Sequence, residues 1–183
     1  MYFIFAIFFL LQASAQYPPS SEYKVKAGFL FQYTKLLEWP SSSFENSDDP
    51  FIIAIAGEDP LGIYLDDTVT GEKVKGHPIV IQLYRLVKKV KNCHILSISN
   101  SKVFDFKKHM NKIPVEVLTV GEAAEFNAIG GMIRFITKDS KIKLIINHPA
   151  VKAAEIYISS KLLSVAEIFI KKLYLYERKV LVN

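Results

Sequence analysis

Residue types able to carry covalent or metal chemistry are sparse in this chain. It contains no Gly-x-Ser-x-Gly elbow, His-Glu-x-x-His pair, Walker-type phosphate loop or Gly-x-Gly-x-x-Gly turn. The nearest approach to a nucleophile beside a base is the dipeptide Cys93-His94. On a strand, neighbours point to opposite faces, so this imidazole cannot serve its own neighbour, and Cys93 reads as a small buried hydrophobe. His77, His94, His109 and His148 are at least fifteen residues apart, so none makes a local ligand pair and each reads as an ordinary surface or strand-end histidine. Cys93 is the only cysteine, which excludes an intrachain disulfide and any Cys-x-x-Cys metal site. No catalytic residue, metal ligand or cofactor is therefore assigned.

The more informative feature is Ala56-Gly57-Glu58-Asp59-Pro60-Leu61-Gly62. Here Gly57 suits a turn closed to other residues, Asp59 a helix cap and Pro60 a first helical turn. A plain strand-to-helix turn accounts for all three. The functional reading places a ligand outside the carboxyl ends of the strands of an open α/β sheet, where helix N-termini offer free amides. By that rule Gly57, Glu58, Asp59, Ser99, Asn100 and Gly121 line one edge. Two acidic side chains there disfavour phosphate and suit a neutral or cationic small molecule. Gly130-Gly131-Met132 reads as a tight turn leading into a hairpin, with close approach of a partner backbone as the alternative.

These residues need a framework. After the Pro18-Pro19-Ser20-Ser21 linker, helical periodicity predicts a helix over Glu22 to Trp39 with Tyr23, Ala27, Leu30, Tyr33 and Leu37 on one face, stopped by Pro40. Residues 41–50 have loop composition. Strand-length apolar runs follow at 51–56, 78–83, 95–98 and 115–120. Apolar on both faces, they suit buried parallel strands, with crossovers at 61–67, 85–91, 103–111 and 122–128. Residues 132–137 and 142–147, joined by the four-residue turn 138–141, predict an antiparallel hairpin at the sheet edge. From Pro149, Val151, Ala154, Ile158, Leu162, Val165 and Phe169 are spaced like a helix face broken near Ser159-Ser160. The expected fold is a single α/β domain: a three-layer α/β/α sandwich with a mainly parallel sheet, a C-terminal antiparallel hairpin and closing helices.

Composition narrows the function. The first residues, an uncharged apolar run from Tyr2 to Leu11 followed by Ala13-Ser14-Ala15, read as a signal peptide cleaved before Gln16. The run is too short to span a bilayer, which needs about twenty residues. Export to the periplasm is expected, with boundaries of 1–15 for the signal, 16–21 for a linker, 22–170 for the domain and 171–183 for a tail or helix extension. The net charge is +5, but the lysines are scattered over several segments, as on solvated helix faces. No nucleic-acid groove is assigned.

The chain resembles the YfiR family of exported α/β proteins from about Tyr23 to Ile168. The resemblance is carried by KAGFLFQYTKLLEWP, IAIAGEDPLG, KVKGHPIVIQL, CHILSIS, LTVGEAAEF with GGMIRF, IKLIINHPAVKAA and ISSKLLSVAEI, in that order and spacing. It implies a non-enzymatic periplasmic regulator that binds the extracytoplasmic domain of a membrane signalling protein, such as a diguanylate cyclase controlling cyclic di-GMP or a sensor kinase. It also implies a homodimer. Disulfide-linked redox control is not carried over to a chain with Cys93 alone. Under this reading Tyr33, Trp39, Tyr174 and Tyr176 are candidate partner contacts, because aromatics dominate interface energetics, although core packing is open to each. The rival reading is a small-molecule-binding protein using the sheet edge.

Overall fold

The computed structural model describes residues 19–46 and 48–170; the expected signal segment, half of the expected linker and the expected tail lie outside them. Helix α1 (Pro19–Leu36) opens with a proline, places Glu22 in its first turn and Lys35 in its last, which suits the helix dipole at both ends. It buries Ala27, Leu30, Phe31, Tyr33 and Thr34. It ends three residues before the expected Trp39. Leu37–Glu38 leaves as strand β1, pairing antiparallel with β9 (Tyr157–Ile158), and the residue before Pro40 is in any case disfavoured as helix.

The chain then forms β2 (Phe51–Ala56), α2 (Gly62–Val69), β3 (Lys73–Val74), β4 (His77–Tyr84), β5 (Ile95–Ile98), α3 (Val103–His109), β6 (Leu118–Gly121), β7 (Ile133–Lys138), β8 (Lys141–Ile146), α4 (His148–Ala153), β9, α5 (Ser160–Leu163) and β10 (Glu167–Ile168). Eight strands form one sheet in the order β10-β8-β7-β6-β5-β2-β4-β3. From β7 to β4 every neighbour is parallel, and antiparallel pairs occur at β7–β8 and β3–β4.

Alternation along the strands sorts the core into two layers. Phe51, Ile53, Ile55, Ile95, Leu118 and Val120 face α1 and α2, whereas Ala54, Ala56, Leu96, Ile98 and Val117 pack with Phe106 of α3 and with Phe126. This is the α/β/α arrangement, with both faces of the parallel strands covered.

Several expected elements differ. Val115 is exposed and Val117 closes a turn on Pro114, so β6 starts only at Leu118. Residues 122–128 form turns instead of a helix, and 85–91 give a single 3-10 turn at Val87–Lys89. The hairpin loop has two residues, not four. Lys138 pairs with Lys141, and Asp139 and Ser140 both take positive φ, as a tight hairpin twist requires. The closing helix is broken twice over: Ser159 accepts a hydrogen bond from the Leu162 N–H to cap α5, while β9 and β10 occupy stretches whose spacing resembles a helix face. Val151, Ala154, Ile158 and Leu162 are buried as expected, but Val165 is exposed.

Candidate functional site

The sheet grows away from β2 in two directions. β4 lies on one side, while β5, β6 and β7 follow on the other. Connections therefore leave the carboxyl ends of β2 and β5 toward opposite sides, the arrangement that opens a crevice in doubly wound sheets. The loops beyond the two strands meet there. Gly57 adopts φ +102°, and a Cβ on it would lie 2.1 Å from the Ser99 Oγ, so only glycine permits this approach. The Gly57 N–H donates to the Tyr84 carbonyl at 2.8 Å, and the Ser99 N–H donates to the Ala56 carbonyl at 3.1 Å.

A cavity of about 90 Å³ sits at this point, lined by Tyr23, Glu58, Ser97, Ser99, Asn100 and Gly121 among others. Four of the six residues expected at the edge thus converge: Glu58, Ser99, Asn100 and Gly121. Gly57 shapes the turn without lining the cavity. Asp59 does not line it either, because its carboxyl lies against Gly62. Burial pushes the Asp59 carboxyl above its ordinary value, and one of its oxygens has no hydrogen-bond partner. The Gly62 and Leu61 N–H groups, which face this carboxyl, offset part of that rise. Helix α2 begins after Leu61 with no side-chain cap, which leaves Pro60 in the preceding turn. Gly121 is required for a different reason: a Cβ there would lie 2.8 Å from the Phe126 ring.

Beside this cavity the structure adds a charged cluster that the sequence reading missed. Lys26, only 2 % exposed, contacts Glu22 Oε1 at 2.6 Å and Glu122 Oε2 at 2.8 Å. Glu22 also accepts from the Thr137 hydroxyl at 3.0 Å. Burial alone would lower the Lys26 pKa, but the hydrogen bonds to Glu122 and Glu22 outweigh it, so the amine is held above its ordinary value. The hydrogen bond from Lys26 holds Glu22 below its own. Arg134 Nη1 donates to the Ala124 carbonyl, while its buried Nε has no partner. An open cleft of about 300 Å³ lies over Lys26, Glu122 and Arg134, and shares Asn100, Glu122 and Phe135 with the smaller cavity. The i,i+4 spacing of Glu22 and Lys26, and the place of Glu122 directly after β6, were the available signals.

Two exposed apolar side chains flank the same edge. Ile63 (69 % exposed) and Phe104 (81 %) each occupy the second position of the helix that follows β2 or β5. Of the expected partner contacts, Tyr33 must be corrected. It is fully buried, its ring stacks on Phe135 at 6.1 Å, and its hydroxyl has no partner. Trp39 is half-buried, packing edge-on against Phe51 at 4.9 Å and donating from its indole N–H to the His94 carbonyl at 3.2 Å. Tyr174 and Tyr176 lie outside the described residues.

At the opposite end of the sheet a cavity of about 390 Å³ opens beside Ser43, Asp49, Cys93, His94 and Glu116. His94, expected at a surface or strand end, is buried. Its Nδ1 accepts from the Ile52 N–H at 3.0 Å and its Nε2 donates to the Ser43 carbonyl at 3.1 Å, so one neutral tautomer satisfies both bonds. Phe44 and Phe51 stack on the ring. Burial holds its pKa below the ordinary histidine value. Cys93 is buried and its thiol is pushed up to about 12, which removes the thiolate that nucleophilic chemistry needs. Among the described residues no group of three or more His, Cys, Asp or Glu is placed to hold a metal ion.

No helix among the described residues is long and apolar enough to cross a membrane. No curated protein matches the chain. Residues 23–167 match the YfiR/HmsC-like family, and a match over that much of the sequence means that the chain belongs to it.

Proposed function

From that membership we propose that this protein is a periplasmic, non-enzymatic regulator that binds the extracytoplasmic domain of a membrane signalling protein, a diguanylate cyclase or a sensor kinase. The family match over 23–167 carries the reading. The carboxyl edge of the sheet is the contact surface. Phe104 and Ile63 supply apolar anchors, and the rim around Lys26, Glu122 and Arg134 supplies polar selection, the usual division of labour in an interface. Release on a signal is a population shift, which demands that the signal favour the free protein by a few kcal/mol.

The small-molecule reading keeps one supporting observation. The switch-point cavity and the cleft over Lys26 share residues, so a small ligand there would touch the proposed contact surface and act as the signal. At about 90 Å³ the cavity alone is well below the roughly 300–1,000 Å³ of ordinary ligand sites, so a small ligand would also occupy the adjoining cleft of about 300 Å³.

The test is crosslinked capture from envelope extracts with the tagged protein and with a Phe104→Ala, Ile63→Ala double variant, each checked for folding by circular dichroism. Recovery of an inner-membrane cyclase or kinase by the parent protein, lost with the variant, supports the reading. Stoichiometric small-ligand binding with no membrane partner would replace it with the second.

A further inference from the structure

The cavity at the amino end of the sheet takes no part in the contact surface proposed above. At about 390 Å³ it falls within the roughly 300–1,000 Å³ of small-molecule sites. It spans the starts of three neighbouring strands, β6, β5 and β2. Ile52, Cys93 and Val117 form an apolar wall and belong to, or pack against, the core layer around Phe106. His94 offers no free polar group there, because both ring nitrogens are taken by Ile52 and Ser43.

The rest of the lining carries charge of one sign. Glu45, Asp49 and Glu116 line the cavity and no lysine or arginine does, although the chain as a whole is +5. Among the described residues, no lysine or arginine pairs with any of the three. The Asn46 N–H holds the Asp49 carboxyl below its ordinary value, so it is a carboxylate at neutral pH. Ser43 adds a hydroxyl oxygen that is buried and has no partner. Buried polar atoms are nearly always satisfied, so this one calls for a donor from outside the chain. The carboxylates do not converge on one point, since no such group is placed to hold a metal ion. A ligand that answers them all carries several separated donors, joined by a body apolar enough to cover Ile52, Cys93 and Val117.

We propose that this cavity binds a short aliphatic polyamine. Its ammonium groups pair with Glu45, Asp49 and Glu116 through charge-assisted hydrogen bonds, the stronger kind, and a remaining N–H supplies the donor that the Ser43 oxygen lacks. The methylene segments between the amines lie along the apolar wall, which removes their surface from water. Other ligand classes fit less well. An anion is repelled by three carboxylates, a compact divalent cation finds no coordination set, and a monoamine answers only one of the charges. The site and the contact surface lie at opposite ends of the sheet, so the ligand touches neither Phe104 nor Ile63.

Isothermal titration calorimetry of the purified protein with spermidine, at pH 7 and physiological ionic strength, tests this. One saturable site is expected, with propylamine at least about tenfold weaker and equimolar magnesium unable to displace spermidine. A Glu45→Gln, Glu116→Gln double variant removes two of the charges and should weaken binding by at least about tenfold. The double variant Asp67→Asn, Glu155→Gln, at exposed carboxylates outside the cavity, should bind as the parent does. Ser42→Trp sets an indole at the exposed rim of the cavity and should abolish binding with the far-ultraviolet spectrum unchanged. If that variant fails to fold, the Glu45 and Glu116 pair decides. No saturable spermidine binding, equal affinity for propylamine, displacement by magnesium, or full affinity in the Glu45, Glu116 variant would overturn the proposal. None of these results bears on capture of a membrane partner through Phe104.

Discussion

Replacing Lys26 by methionine isolates the charged cluster at the sheet edge, because methionine matches the length of the buried stem and removes only the charge and its donors. Lys26 Nζ lies 2.6 Å and 2.8 Å from oxygens of Glu22 and Glu122. Those oxygens are therefore within about 5 Å of each other, and two unit charges at that distance repel by about 1–3 kcal/mol for an effective dielectric of 80–20. The charge-assisted hydrogen bonds are also lost, each worth about 1.5–3 kcal/mol net. Both carboxylates keep 27–30 % of their side-chain surface in water, so rehydration returns part of this. A loss of about 2–4 kcal/mol at pH 7 is expected, measured by urea unfolding. The pH profile supplies a second reading. In the parent protein Glu22 is held below 4.5, so its contribution is full above that value and fades as pH falls through the folded pKa. In the variant the carboxylates repel, and acid relieves them, so the stability gap narrows between about pH 5 and pH 3. Adding Glu122→Gln should restore part of the loss at neutral pH. A methionine variant as stable as the parent at pH 7, or one with a parallel pH profile, would refute the electrostatic account.

Other perturbations probe single features. Tyr33→Phe removes a buried hydroxyl that has no partner and should raise stability by about 1 kcal/mol, seen as a higher urea midpoint at unchanged slope. Gly121→Ala drives a methyl to within 2.8 Å of the Phe126 ring and should cost about 1–3 kcal/mol of thermal stability. His94→Gln loses the ring stacking and one or both hydrogen bonds, at about 1–3 kcal/mol at pH 7. Because burial holds the folded His94 pKa below 6.5, the parent loses stability as pH falls below 6.5, when the unfolded chain takes up the proton first. The glutamine variant should lack that component, so the difference between the two in calorimetry should shrink from pH 7 to pH 5.

The strands buried on both faces were the most legible part of the fold. β2 and β5 match their apolar runs residue for residue, because a run with no polar alternation has no other way to be satisfied in a parallel sheet. β1, β9 and β10 were not legible. Each has two residues, and each exists only because of pairing with a distant segment, as Leu37 with Ile158 or Glu167 with Ile145. The site was partly visible for the same reason. A rule about strand ends brings Glu58, Ser99, Asn100 and Gly121 together, but the order of β4, β2 and β5 that makes this a switch point is a tertiary fact. Lys26 and Glu22 look like a solvated helix pair until β6 and β7 place Glu122 and Thr137 over them. Tyr33 illustrates the converse. Its helical spacing with Ala27 and Leu30 already put it on the buried face, and its aromatic character says nothing of exposure. Phe104 was passed over although Val103 and Phe106, its neighbours on α3, take the inward face and leave it outward.

The central claim, recognition of a membrane signalling protein through the carboxyl edge of the sheet, is tested most directly by site-specific photocrosslinking in intact cells from positions 63 and 104, with the exposed Glu45 at the opposite end as control. Adducts to the extracytoplasmic domain of one inner-membrane cyclase or kinase from Ile63 and Phe104, and none from Glu45, are predicted. No such adduct from either edge position, or equal yields from both ends of the sheet, would contradict it.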